Sequence, residues 1–345
     1  AYMGEKLKKE SYTGFDAALD EEQQMQEGKY KKAEKYYDSI FGDVETESLP
    51  LPDVSGKIPE KGYLERKLNI AEDKILSCCE KLGVTPNILF TGVFGILMSK
   101  YSNAEDSLFA TIYNGRNDSR LENTVCMLVK TLPVYCRFDT KTTIQAYMTE
   151  LSEQLLSSMA NDIFPFSDIC AKYGFNSDLT FAYQAELSDD YPIGDTVARG
   201  HDLSLDMAKM PLLIQVREYN NEYVLTAEFR GDRYSDAFVD GILEAYEAAM
   251  DSLLKNRYVS EVSIISENAV NQIAQFNDTV CEYDRSKTVS DMFTEMVQNI
   301  PTHTAVVFKD KKYTYQELDE ISDRLGKYIT SLGIGTEDVV SILIP

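Results

Sequence analysis

The sequence predicts an α/β layer, a mixed sheet with flanking helices. Strand and helix patterns alternate from about residue 68 to residue 255, as they do in a layered α/β unit. Two apolar runs, residues 212–218 and 222–229, flank Asn220-Asn221, a dipeptide suited to an antiparallel hairpin turn. Residues 85–101 are apolar almost all round, so a helix there belongs at the centre of the layer.

The elements follow in order. The first 60 residues are mostly polar and helical in pattern, with charge and aromatics at helix spacing over 29–41. Leu49-Pro50-Leu51-Pro52 then turns the chain extended. Ile75, Cys79 and Leu82 mark one helix face, closed by Gly83 as a C-terminal cap. Thr85 caps the apolar helix, with Pro86 at its first position. Residues 107–113 read as a short strand and 128–138 as a longer one, which Pro133 marks as an edge strand or a bulged one. An amphipathic helix over 143–159 and a strand over 178–186 come next. Ser235 caps a long helix carrying Phe238, Ile242, Tyr246 and Leu253 on one side. Residues 256–283 are polar and read as a linker. Beyond them lie a helix (288–299), a hairpin (304–308 with 312–314), a second helix (315–332) and a strand over 339–344. A strand followed by nothing gives the chain the look of a cut piece.

Composition narrows the function. An apolar share of 43% is enough for a sizeable core. Acidic residues outnumber basic ones, 57 to 34, and a formal charge of −23 disfavours nucleic acid and anionic membranes as partners. The six cysteines show neither a CxxC pair nor metal-ligand spacing, which predicts buried, reduced thiols. With no apolar run of membrane-spanning length and no signal peptide pattern at the start, the expected address is cytoplasmic.

Several blocks then carry a resemblance. A strand is followed by Gly115-Arg116-Asn117, and then by residues 125–134 with Thr131-Leu132-Pro133, ending at Arg137. This resembles the second half of a condensation domain of a nonribosomal peptide synthetase. There a Gly-Arg pair precedes a block close to V/I-G-x-F-V-N-T-L-P-x-R. Here Cys126 replaces the Gly, Leu128 the Phe and Lys130 the Asn. Tyr12-Thr13-Gly14-Phe15 resembles the family's aromatic segment after the active-site loop, and residues 161–166 resemble its H/N-Q-D-Y-P-F-E block. Residues 176–179 are a weaker echo of the next block. The tail, with Gln275-Phe276-Asn277-Asp278-Thr279, Ala305-Val306-Val307 and Tyr313-Thr314-Tyr315-Gln316-Glu317-Leu318, is similar to the opening of an amino-acid adenylation domain.

The resemblance implies a chloramphenicol-acetyltransferase-like lobe over 1–255, a linker over 256–280 and the first, partial α/β segment of an adenylation domain over 281–345. It implies amide bond formation between thioesters on phosphopantetheine arms of carrier domains, and amino-acid activation with ATP and Mg. The family's base is the second His of HHxxxDG in an N-terminal lobe; this chain holds only His201 and His303, both in surface-type contexts. The phosphate loop of adenylation is also missing. The fragment is therefore expected to bind no cofactor and to be inactive alone. Its expected partners are carrier domains, the N-terminal lobe and the rest of the adenylation domain, with self-association through uncovered faces. A non-catalytic carrier-docking module and a free-standing acyltransferase of the same superfamily are the alternatives.

Four expectations concern single sites. Arg116 is the candidate interlobe residue that holds the Asp of HHxxxDG by bidentate hydrogen bonds; its plain alternative is a surface pair with Asp118 or Glu122. Asn161, Phe164 and Phe166 are candidate tunnel-lining residues, or core filling around a proline turn. Thr314 and Glu317 fit a helix capping box, with Tyr315 and Leu318 completing a block of architectural rather than chemical role. Acidic stretches such as Glu21-Glu22 and Asp189-Asp190 read as solvated surface.

Overall fold

The computed structural model describes all residues except 1–8, 43, 45–47, 57, 59, 117, 177, 186–189, 200–205, 220, 221, 344 and 345. His201, the Asn220-Asn221 turn and Asp189 therefore lie outside the described residues. Two units are distinguished, residues 1–273 and 274–345.

The first unit runs α1 (Gly14–Gln26), α2 (Lys29–Phe41), β1 (Lys61–Lys67), α3 (Glu72–Leu82), α4 (Pro86–Ser102), β2 (Asp106–Tyr113), β3 (Lys130–Arg137), α5 (Ile144–Ala160), α6 (Phe166–Tyr173), β4 (Leu179–Gln184), β5 (Asp190–Ile193), β6 (Thr196–Arg199), β7 (Leu212–Tyr219), β8 (Glu222–Arg230) and α7 (Asp236–Leu253). Helix α8 (Glu267–Phe276) crosses the boundary, and α9 (Val289–Asn299), β9 (Thr304–Phe308), β10 (Lys311–Thr314) and α10 (Tyr315–Ser331) make up the second unit. The main sheet has the order β1-β8-β7-β4-β2-β3. It is mixed: β7–β4 and β4–β2 are parallel, while the other pairs are antiparallel.

Helix α4 is the core, as its all-round apolarity demands. Every residue from Ile88 to Ser99 is buried. Phe94 stacks on Phe181 at 4.8 Å and meets Phe109 edge-on at 4.9 Å. A Cβ added at Gly95 would stand 2.6 Å from both the Cys136 sulfur and the Tyr147 hydroxyl, so glycine here lets α4 lie close against β3 and α5. Thr85 caps α4 and Gly83, in the left-handed region, ends α3. Pro133 sits on an edge strand, opposite Ala110 in an unbroken register, and no bulge is needed. A smaller core gathers Tyr37 and Phe41 from α2 with Ile169 of α6 and Phe164.

Two expectations are corrected, and some elements appear where none was expected. Residues 339–343 form no strand, because among the described residues no neighbouring strand pairs with them, and a lone extended segment leaves its backbone groups without a ladder. Within the polar stretch from 256, Val259 and Val262 are buried, and Glu267–Phe276 is helical with Ser266 Oγ accepting from the Ala269 amide. Of the six cysteines only Cys79 and Cys136 are buried, while Cys78, Cys126 and Cys170 are half-buried and Cys281 is exposed. Finally, β1 and the small β5–β6 hairpin are strands that the sequence pattern does not announce.

Candidate functional site: the connection between β2 and β3

The chain leaves β2 at Tyr113 and re-enters the sheet at Lys130, directly opposite in the register. Between them runs the connection that carries Arg116. Gly115 has φ +68°, and a Cβ there would lie 1.9 Å from the Leu128 carbonyl oxygen. The two legs of the connection thus touch at a point where only glycine fits, which gives the Gly-Arg pair its physical reason.

Arg116 is exposed. Its guanidinium donates to the Leu121 carbonyl, and its amide donates to Asn114 Oδ1 at 3.0 Å. Among the described residues, no carboxylate reaches it. The surface pairing with Asp118 is made instead by Arg120, at 2.6 Å, and Arg120 also pairs with Asp20 of α1 at 2.9 Å. The Arg120 guanidinium lies 4.5 Å from the centre of the Tyr12 ring, and the Tyr12 hydroxyl donates to Asp20 at 2.7 Å. That hydrogen bond is the first cause that pushes the Tyr12 pKa up to about 12. Thr124 donates to the Tyr12 carbonyl and the Val125 amide to Glu10, so the segment leading into α1 is also fastened to the connection. This network has no local signature in the sequence, because its partners lie about a hundred residues apart.

Three large apolar side chains of these segments are exposed. Phe15 of α1 is 85% exposed, and Val125 and Met127 of the connection are each 87% exposed.

The other sequence candidates separate. Asn161 ends α5, its side-chain amide donating to the Ser157 carbonyl at 2.8 Å. Phe164 is 3% exposed, its ring 5.0 Å from that of Tyr30 and 5.9 Å from that of Tyr37. It fills the smaller core. Phe166 opens α6, half-buried, against Phe175. In the second unit Thr314 and Glu317 form the expected capping box, Tyr315 faces Phe293 at 6.1 Å, and Leu318 is half-buried. His303 serves there through its backbone, its carbonyl accepting from the Tyr315 amide at 3.0 Å. Among the described residues no group of His, Cys, Asp or Glu side chains could hold a metal ion, and no single helix is long and apolar enough to cross a membrane.

A family model described as the condensation domain matches residues 1–274. The chain belongs to the condensation-domain family. A second model, for AMP-binding enzymes, matches residues 293–345. Gramicidin S synthase 2 of Brevibacillus brevis is 24% identical over 360 residues, covering 99% of this chain and 8% of that protein. Surfactin synthase subunit 1 of Bacillus subtilis (strain 168) is 25% identical over 358 residues, covering 99% of this chain and 10% of that protein. The chain therefore spans no more than a tenth of the length of these two relatives. Among solved structures, the condensation domain of the monacolin K polyketide synthase MokA superposes with a TM-score of 0.62 at 14% identity, over 76% of this chain and 65% of that one. A four-domain nonribosomal peptide synthetase bound to AMP and glycine gives 0.66 at 16% identity, over 89% of this chain and 25% of that one. The condensation-domain fold is the chloramphenicol-acetyltransferase-like α/β layer that the six-stranded sheet displays.

Proposed function

We propose that this condensation-domain chain works within a nonribosomal peptide synthetase. In this reading residues 1–255 are the C-terminal lobe, 256–280 join the units, and 281–345 open an adenylation domain. The observation that carries the reading is the order of the two family matches in one chain.

The reaction is attack by the amine of one carrier-bound aminoacyl thioester on the carbonyl of another. A C–N bond forms, a C–S bond breaks, and the amine's proton leaves through a base while the thiol departs. Among its described residues the lobe has no histidine to act as that base; in this reading it supplies a surface and a positioned cation. Arg116 presents a guanidinium with no carboxylate beside it among the described residues. A carboxylate on a facing lobe would be held in the planar, bidentate geometry that arginine favours. Phe15, Val125 and Met127 would cover themselves against the same lobe, and while uncovered they favour self-association. Carrier domains deliver the thioesters on phosphopantetheine arms. ATP and Mg belong to the adenylation step and would be held by residues outside 293–345, so alone the chain condenses nothing and activates no amino acid. The address in this reading is cytoplasmic.

The test is Arg116→Ala in a synthetase carrying this lobe together with an N-terminal lobe. Condensation is expected to fall at least tenfold, the loss of one charge-assisted contact, with an unchanged unfolding midpoint. Unchanged condensation removes Arg116 from the site.

A further inference from the structure

At the base of the Arg116 connection, one ammonium joins three elements. Lys130 Nζ lies 3.3 Å from Asp162 Oδ1, 3.2 Å from the Asp162 carbonyl oxygen and 3.3 Å from Glu21 Oε1. Those partners belong to the turn after α5 and to α1, while Lys130 itself begins β3. The ammonium donates hydrogen bonds to Glu21 and to the Asp162 carbonyl, and its contact with Asp162 Oδ1 is an ion pair.

Asp162 stands in an unfavourable place for a charge. Its side chain is 17% exposed, and burial raises its pKa above the ordinary carboxylate value although Lys130 pulls the other way. The groups that face it are Lys130 from β3, Glu21 from α1, Tyr113 from β2 and Tyr37 from α2. The Tyr113 hydroxyl is buried with no hydrogen-bond partner among the described residues. A half-buried ion pair of this kind adds little to stability compared with neutral groups of the same shape, whereas removing one partner is costly.

Both residues depart from the family's pattern. Lys130 stands where the block has Asn, and Asp162 where H/N-Q-D-Y-P-F-E has Gln. The two departures meet in space as a pair of opposite charges. We propose that Lys130 and Asp162 are a positioning pair, a charge clamp that fixes the base of the β2–β3 connection on α1 and thereby sets the direction in which Arg116 points. Tyr113 and Lys130 stand opposite each other in the register, so the pair sits where both legs of the connection leave the sheet.

The clamp predicts a local opening governed by protonation. The opening releases Lys130 while Asp162 keeps its half-buried place: without the ammonium the carboxylate holds its proton more tightly still, so proton uptake favours the loosened connection. The unit as a whole does not lose stability at that step, because a raised carboxylate pKa means that folding favours the protonated form.

The experiment is amide exchange over residues 116–129 in the full chain, read by mass spectrometry and corrected for intrinsic rates, for wild type, Lys130→Asn, Asp162→Gln and the double variant. Lys130→Asn is expected to speed exchange on the order of tenfold, and the double variant to restore it to near wild type. Wild-type exchange should also rise as the pH falls through the Asp162 titration, and Asp162→Gln should abolish that dependence. Effects of the two single variants that simply add in the double variant overturn the pair, as does a pH profile that Asp162→Gln leaves intact. The link to Arg116 rests on the function proposed above and has its own readout. In a condensing synthetase, Lys130→Asn should lower kcat with KM kept, and the double variant should regain it. Coupled exchange with unaltered kcat overturns the role in directing Arg116; a wild-type synthetase that condenses nothing sinks the proposed function instead, and leaves the exchange result to judge the clamp.

Discussion

Arg120 lies over the ring of Tyr12, 4.5 Å from its centre, although the two are 108 positions apart in a chain whose helix α1 and β2–β3 connection share no strand. This contact, closed by Asp20, holds α1 against the connection and leaves Arg116 as the cation without an acidic neighbour among the described residues.

The first prediction concerns that fastening. Tyr12→Ala should raise amide exchange over residues 118–125 several-fold while leaving the exchange of α4 unchanged, since α4 belongs to the other, larger core. Exchange that stays slow in the connection would show that the stack holds nothing.

At Gly95 two effects oppose each other. Alanine gains about 1 kcal/mol of helix propensity over glycine, but its Cβ would meet Cys136 and Tyr147 at 2.6 Å. Overpacking of about 1–3 kcal/mol is the larger. Gly95→Ala should therefore lower the urea midpoint, and Gly95→Val should lower it further. A stabilised alanine variant would contradict the close approach of α4 to β3 and α5.

Tyr223 yields a prediction of the opposite sign. Its ring packs 4.8 Å from Phe90, but its hydroxyl is buried without a hydrogen-bond partner among the described residues, and burial pushes its pKa up to about 12. Tyr223→Phe keeps the packing and removes an unsatisfied group, so stability at neutral pH should be equal or higher by up to about 1 kcal/mol. The sign at alkaline pH follows from linkage. The folded pKa is above the ordinary tyrosine value, so the stability tied to the protonated hydroxyl is complete below about 10 and is lost as pH climbs towards about 12. The phenylalanine variant should lose stability less steeply across that window, and denaturation followed against pH decides it.

In the second unit, Thr314 accepts from the Glu317 amide at 3.2 Å, and Glu317 accepts from the Thr314 amide at 2.9 Å. Thr314→Ala should cost about 1 kcal/mol and reduce the helical signal of α10, whereas Thr314→Ser should keep both. Equal behaviour of the two variants would remove the cap from the account.

Much of the fold was legible because it rests on short-range patterns. The apolar run of α4 forced a central helix, Gly83 and Thr85 marked the break before it, and Pro133 pointed to an edge. Strand β1 escaped because Lys61, Glu65, Arg66 and Lys67 hide its alternation. Such charges suit its place at the other edge of the sheet, where they discourage further pairing. Helix α8 escaped although Ser266 signals its start, since the polar composition around it reads as linker. At the candidate site, the Gly115-Arg116 pair stood out by its motif. Tyr12, Lys130 and Asp162 entered only as members of motif blocks and Arg120 not at all, because what joins them is a set of long-range ion pairs and one ring contact.

The most direct test of the central claim measures amide formation between two carrier-bound aminoacyl thioesters, by this chain alone and by the same chain joined to an N-terminal condensation lobe bearing HHxxxDG. The account predicts dipeptidyl thioester only from the joined protein. Product from the chain alone, or none from a joined protein that is folded and loaded, would contradict it.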